Sequence, residues 1–559
     1  MTTQQRRQNG RFITIFLFLI AVTMVVSSAA ARDFAGEDIS ESIAAYIVQG
    51  QDMERTSAAV QAVGGKITHE LGVINAVGTE LTIEQKMDLE ASSGVNRVYD
   101  NHSLAVDGKP DTGGDSSGTI PDSVYPTLVN AAPLHYAGLL GTGVGIAVID
   151  TGNLSDNFIT KDITGKSRIA ANYDAISDRT SSVIDGSGHG SHVTSVAVSS
   201  GLTTGSLELY NGVAPDASLI SVKAFDDQGR GNYLDVIRAL DWVVTNKDTY
   251  NIRVLNLSFS ATPQSYYWDD PLNQAVMQAW QAGIVVVAAA GNHGSDPITV
   301  GVPGNVPYVI TVGAFTDNYT PEDESDDYVP SFSSRGPTVE GFVKPDVIAP
   351  GGHILGLMAT NSEIATTYPE FQIDDRFYIM SGTSQATAVT SGVVALMLQE
   401  DPALTPDTVK CRLLSSAEVP TTGRGKDKSL AYSVFEMGAG RINAETAVYA
   451  TETGCVNQGL NIANDLAGTE HYQGRADQDE NGNYYLPSLE GDGFAWSGGT
   501  NANTDGFAWS GGFAWSGGFA WSGGFAWSGG FAWSGNYTFS DGFAWSGANM
   551  AINNWVPQE

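Results

Sequence analysis

The sequence predicts an α/β fold: a parallel sheet flanked by helices, preceded by a small α+β unit and followed by a low-complexity tail. Three observations carry this. Between about residues 123 and 450, short continuously apolar runs recur: "VGIAVID", "ASLISVKAF", "IRVLNLSFS", "AGIVVVAAAG" and "YVITVGAF". Continuous rather than alternating hydrophobicity marks strands buried on both faces. Helix-length segments such as "YLDVIRALDWVV" and "PLNQAVMQAWQA" lie between them, the alternation of a βαβ architecture. With 559 residues, 42% of them hydrophobic, the chain can bury a large core and hold more than one domain.

Taken in order, residues 1–31 read as a secretory signal peptide. Arg6, Arg7 and Arg11 precede an apolar stretch near 13–26, and the small residues Ala29 and Ala31 follow. The stretch is short for a membrane span and no later run reaches that length. The expectation is a chain with no membrane span after signal removal, secreted or held at the cell surface.

Residues 32–118 read as a small α+β unit and an exposed linker. "AAYIVQG" has strand character. "MERTSAAVQAVGG" is a helix stopped by Gly64 and Gly65. "KITHELGVINAVGTEL" holds two strands, and "TIEQKMDLEASSG" is a second helix with Thr82 and Gln85 in capping-box positions. "VNRVYDNHSLAV" supplies a last strand before the Gly/Asp/Ser-rich linker.

Residues 119–450 carry the parallel-sheet pattern, and residues 451–490, rich in Asn, Gly and Asp, read as a polar linker. Residues 491–559 repeat "GFAWSG" seven times, centred on Trp496, Trp509, Trp515, Trp521, Trp527, Trp533 and Trp545. Within the six-residue repeats an extended chain sets every Phe and Trp on one face. This reads as a low-complexity aromatic tail. The alternative is a stacking platform that binds the cell surface or a polysaccharide.

The chain carries 62 acidic and 28 basic residues, a net charge of -34. Such a surface repels nucleic acid and anionic lipid, so neither is expected as a partner. The run holding Glu322, Asp323, Glu324, Asp326 and Asp327 offers calcium ligands, without assigning a set. The two cysteines, Cys411 and Cys455, allow either one bridge or two buried thiols.

Chemistry-bearing residues stand at the edges of apolar runs. Asp150 ends "GVGIAVID", where a carboxylate is costly unless paired. His189 stands between glycines in "DGSGHGSHV", with His192 three residues on. That spacing suits one helix face, but no HExxH arrangement or third ligand accompanies it, so zinc is a poor fit. Ser384 opens "SGTSQATAVTSGVVALML", a helix predicted to be buried nearly all round. A serine hydroxyl is a weak nucleophile. It needs a base within hydrogen-bond reach and a carboxylate to orient that base, so an Asp, a His and a Ser at element boundaries point to acyl transfer.

With "AVIDTG", "GHGSHV" and "SGTSQATA" in that order, the chain resembles the subtilisin family of serine peptidases, whose triad follows the order Asp, His, Ser. "GVAPDASLISVKAFDDQGRG", "VVAAAGN", "SFSSRGP" and "KPDVIAPGG" agree, over about 330 residues. The resemblance implies a subtilisin-like fold and peptide-bond hydrolysis through an acyl-enzyme. It implies Asp150 as the orienting carboxylate, His189 as general base and acid, Ser384 as nucleophile and Asn292 as oxyanion-hole donor. It also implies Gly229, Arg230, Gly231, Ser258, Phe259 and Ser260 as substrate-binding edges that pair with an extended peptide. His192 is expected to be structural.

Further implications are protein or peptide substrates, no cofactor for catalysis, structural calcium, and an N-terminal unit that is the enzyme's own propeptide and inhibitor. The chain would then be a zymogen, cut between about residues 107 and 121. It departs from the family's usual text at Ser191, at Gln385 after the nucleophile, and at Ser260 where glycine is usual. Ser260 is expected to narrow the pocket beside the cut bond. The rival readings are a dedicated maturase that cuts one partner and a surface adhesion or scaffold protein with an idle protease domain.

Overall fold

The computed structural model describes residues 43–92, 94–106, 123–203, 209–422 and 429–486. The stretch expected to be a signal peptide, the expected linker from 107 and the repeat tail lie outside the described residues. The chain divides into two units, one made of residues up to 68 with 77–98, the other of 69–76 with everything from Tyr99.

The first unit holds most of a four-stranded sheet. Its strands are β1 (Ala44–Gly50), β2 (Lys66–Leu71), β3 (Ala76–Leu81) and β4 (Val95–Asp100), in the order β2-β3-β1-β4. Two helices accompany it, α1 (Met53–Ala62) and α2 (Ile83–Glu90). The Asp52 side chain caps α1, and Thr82 with Gln85 forms the expected capping box at α2. Tyr46, Val48, Val60, Val77, Leu81 and Leu89 make its core.

The second unit contains β5 (Ser103–Val106), β6 (Gly145–Asp150), β7 (Ile169–Asp174), α3 (His189–Val198), β8 (Ser218–Lys223) and β9 (Arg230–Asn232). Then follow α4 (Tyr233–Asn246), β10 (Ile252–Leu257), β11 (Phe259–Ser260), α5 (Pro271–Gln281), β12 (Val285–Ala289) and β13 (Ile310–Phe315). Last come β14 (Val347–Pro350), β15 (Ile354–Leu357), β16 (Phe377–Met380), α6 (Thr383–Glu400), α7 (Pro406–Ser415) and α8 (Ile462–Leu466). Seven strands form one sheet, in the order β14-β13-β12-β10-β6-β8-β7, and every neighbouring pair is parallel. Strands β6, β12, β13 and β14 are buried along their whole length, as continuous apolar runs require.

The chain builds one wing from β6, β8 and β7, then crosses to β10 and builds the other wing outward. The order therefore reverses between β6 and β10, and a crevice is expected beyond their carboxyl ends. Helix α6 packs on β10, β12, β13, β14 and α3, and it is buried from Thr383 to Leu398. Its threonines stay polar inside by turning back: Thr387 and Thr390 donate to the carbonyls of Thr383 and Ala386 at 2.7 and 2.9 Å.

Residues 451–486 are not the linker that their polarity predicts. They pack on the large unit through α8 and a disulfide between Cys455 and Cys411 (Cα–Cα 5.3 Å), which answers the open question of the two thiols. The acidic run near 322–327 makes contacts within the chain. Asp327 and Glu324 pair with Arg441, and Asp326 accepts from Asn318 and Thr320. Among the described residues no group of three or more His, Cys, Asp or Glu is placed to hold a metal ion.

Asp346 sits under the sheet with its two carboxylate oxygens on two buried ammonium groups, Lys344 at 2.6 Å and Lys410 at 3.0 Å. Burial pushes the pKa of the Lys344 amine down to about 7, and removing the shared anion takes away the counter-charge of two Nζ groups that share the carbonyl of Val309. Asp346→Ala is expected to lower the unfolding free energy by about 3–5 kcal/mol in a denaturant titration, or to prevent folding. A change under about 1 kcal/mol would contradict this reading of the cluster.

His192 lies wholly buried, with Nε2 between the carbonyls of Ile354 and Tyr378 at 3.1 and 3.2 Å. Burial pushes its pKa down to about 3 from the ordinary 6.5. With the folded value depressed, its contribution to stability is complete above about pH 6.5 and is lost as the pH falls toward 3. The Tm of wild type should therefore drop more steeply with acid in that window than the Tm of His192→Gln. Parallel curves would refute the assignment.

Candidate active site

The carboxyl end of β6 delivers Asp150, only 1% exposed. Its Oδ1 accepts from the Thr151 N–H and from His189 Nδ1, both at 2.8 Å. A carboxylate only accepts, so the His189 proton is on Nδ1, which leaves the Nε2 lone pair as the basic site. His189 heads α3, and the glycines around it are sterically required. Gly188 caps the helix at φ 99, and a Cβ on Gly190 would stand 2.3 Å from the Gly152 carbonyl oxygen.

A second carboxylate, Asp185, knits the two loops together, and sequence reasoning missed it. Its Oδ1 accepts from Thr151 Oγ1 and the Gly188 N–H, both at 2.8 Å, and its Oδ2 from the N–H and hydroxyl of Ser191. Thr151 Oγ1 in turn accepts from the Gly190 N–H at 2.8 Å. The available signal was the position of Asp185 in the same glycine-rich loop as His189.

Ser384 is the second residue of α6. Its hydroxyl donates to the Ser258 carbonyl at 2.9 Å, and the Ser258 hydroxyl donates to the Ser384 carbonyl at 2.9 Å. This seats the start of α6 on the end of β10. Asn292 follows Gly291, whose φ is 107. The Asn292 Oδ1 accepts from both the N–H and the hydroxyl of Thr383 at 2.9 Å. Fixing that oxygen turns Nδ2 away from Thr383; it is buried and has no hydrogen-bond partner among the described residues. A buried amide donor left unpaired one residue from Ser384 is suited to receive negative charge.

Helices α3 and α6 pack side by side. Gln385 joins them, its Nε2 lying 3.4 Å from His192 Nδ1. Of the residues singled out from sequence, the fold thus joins Asp150 to His189, Ser384 to Ser258, and Asn292 to Thr383 beside Ser384.

The remaining candidates form a slot. Gly229, at φ 70, leads into β9, which contains Arg230 and Gly231, while Phe259 and Ser260 make up β11. Between β9 and β11 runs β5, antiparallel to both. Val106 and Ala105 face Phe259 and Ser260; Ser103, Leu104 and Ala105 face Asn232, Gly231 and Arg230. Ser260 is fully buried: a Cβ on Gly291 would meet its hydroxyl at 2.7 Å, and one on Gly301 would meet its Cβ at 3.0 Å.

A sequence profile described as the Subtilase family matches residues 141–440. The chain is 40% identical over 315 residues to "Serine protease AprX" of Bacillus subtilis (strain 168), covering 56% of this chain and 67% of that protein. It is 32% identical over 332 residues to "Subtilisin DY" of Bacillus licheniformis, covering 59% and 98%. Fervidolysin from Fervidobacterium pennivorans, a keratinolytic enzyme related to subtilisin, shares the fold with a TM-score of 0.54 at 23% identity, over 74% of this chain and 62% of that one. Sheet order, buried polar constellation and sequence match converge on one conclusion: the chain belongs to the subtilase family and is a subtilisin-like serine peptidase.

Proposed function

We propose that the chain is a secreted serine endopeptidase made as a zymogen, with Asp150, His189 and Ser384 as its triad and Asn292 in its oxyanion hole. In this reading Ser384 Oγ attacks the scissile carbonyl while His189 Nε2 takes the hydroxyl proton. Asp150 holds the imidazole in the required tautomer and stabilises the imidazolium. Asn292 Nδ2 and the Ser384 backbone N–H donate to the oxyanion. His189 then returns the proton to the leaving amine. Water repeats the sequence on the acyl-enzyme and releases the acid. No step asks for a cofactor.

The observation that carries the zymogen reading is β5. An extended segment of the chain itself lies between β9 and β11, the two edges expected to hold an extended substrate. Its pairing is main-chain to main-chain, the mode by which such a cleft takes peptides with little regard to side chains. While β5 stays there, no other peptide can pair with those edges. The N-terminal features of residues 1–31 support export.

The described part of β5 ends at Val106, paired with Phe259 next to Ser258, whose carbonyl accepts the Ser384 hydroxyl. Self-processing is expected in the linker between about residues 107 and 121. Mass spectrometry of the purified full chain should find a new N-terminus within the linker, between about residues 107 and 121, and Ser384→Ala should stay uncut and hydrolyse no peptide. Asn292→Ala should slow turnover by about 10²–10³, the magnitude known from subtilisin itself. A Ser384→Ala chain that is still processed and active would overturn the assignment. A wild-type chain left uncut in that linker would overturn the zymogen reading alone.

A further inference from the structure

We infer that the segment from Cys455 to Ala476 is a clamp that positions the loop following β11, and through it sets how firmly the cleft holds substrate residues upstream of the cut bond. The inference rests on the peptidase reading above. The clamp lies outside the stretch 141–440 that matches the family.

Its centre is Asp465 on α8, which packs on α5. Asp465 is 2% exposed and lies against groups brought from three other places in the chain. Its Oδ2 accepts the hydroxyls of Tyr267 at 2.6 Å and Tyr308 at 3.0 Å, and its Oδ1 meets His471 Nδ1 at 2.8 Å. The His471 ring stacks on Trp268 with centroids 4.9 Å apart, and Trp268 stacks on Tyr266 at 4.7 Å. Tyr266, Tyr267 and Trp268 are consecutive, and all three belong to the loop between β11 and α5.

Main-chain contacts close the clamp. Glu340 Oε1 accepts the Tyr267 N–H at 2.7 Å, and the Glu340 carbonyl accepts the Gly474 N–H at 2.8 Å. Gly341 accepts from Ala476 at 3.0 Å, and a Cβ on Gly474 would lie 1.9 Å from the Gly341 carbonyl oxygen, so the two chains touch backbone to backbone. The disulfide from Cys455 to Cys411 ties the other end of the segment to α7.

The loop so held leads to both walls of the slot. At one end it continues from Ser260. At the other, Asp270 caps α5 and accepts the hydroxyl of Tyr233 at 2.9 Å; Tyr233 is the residue that directly follows β9. Because β11 runs antiparallel to β5, the chain leaving Ser260 travels toward the N-terminal end of β5, away from Ser384. The clamp therefore bears on the part of a bound peptide that lies upstream of the cut. Asp465 and Tyr267 are positioning residues: neither touches the reacting atoms.

The test is kinetic, on the full mature chain, with two peptide substrates that differ only in length upstream of the cut bond, one dipeptidyl and one pentapeptidyl. Asp465→Ala should raise KM for the longer peptide about tenfold, the size of one lost hydrogen bond to a charged group, with kcat retained. KM for the shorter peptide should hardly move. Asp465→Asn, which still accepts from both tyrosines, should restore most of the loss. Tyr267→Phe removes a single hydroxyl and should show the same length dependence should Asp465→Ala fail to fold. An equal rise on both peptides, a fall in kcat alone, or no change on the longer peptide in folded Tyr267→Phe would overturn the inference. A wild-type chain that hydrolyses neither peptide would remove the peptidase reading and this inference with it.

Discussion

The hydrogen bond between Asp150 and His189 is the interaction that the rest of the site depends on. Both side chains are almost wholly buried, where an unpaired carboxylate is expensive and an unoriented imidazole has no defined base. Their 2.8 Å contact removes both problems at once. It exists only because β6 ends at the topological switch of the sheet and because α3 starts beside it with glycine on either side. Asp185 and Thr151 hold that start in place from beneath. The same switch brings β10 alongside β6, and β10 leads directly into the Ser258 that seats Ser384.

Two further layers build outward from this centre. The first is the slot formed by β9 and β11, whose free edges are an invitation to any extended chain. In this molecule β5 answers it by pairing with both edges. The second is the C-terminal segment. A buried carboxylate shared by two tyrosines and a histidine is an unusual way to fasten an extension, and it ties residues far apart in sequence to the loop behind one wall of the slot. Fold, cleft and extension are thus linked by hydrogen bonds to buried acids: Asp150, Asp185, Asp270 and Asp465.

Much of this was legible in the residues. Strands buried on both faces write themselves as unbroken apolar runs, and all five runs quoted became strands of the parallel sheet. Asp150, His189 and Ser384 stood out because each is polar at the margin of such a run. Asn292 was legible only through the family resemblance, since Asn after Gly is also ordinary turn chemistry. Asp185 and Thr151 were not, because a short polar side chain in a glycine-rich loop looks the same whether it cross-links two loops or faces water. The segment after 451 read as a linker for a related reason. Its anchors are single residues (Asp465, His471, Gly474) scattered among Asn and Gly, with no periodicity to announce a packed face. Nor does anything local in the acidic run near 322–327 show that Arg441, more than a hundred residues later, pairs with Glu324 and Asp327.

The measurement that tests the central claim most directly is the rate at which a serine-directed phosphonate labels the mature chain, with the labelled residue located by peptide mass spectrometry. The account predicts one adduct, on Ser384, and a rate that falls by several orders of magnitude in His189→Ala and by a comparable amount in Asp150→Asn, where the imidazole loses its carboxylate acceptor. Labelling of Ser384 at an undiminished rate in Asp150→Asn, or an adduct on some other serine, would contradict it.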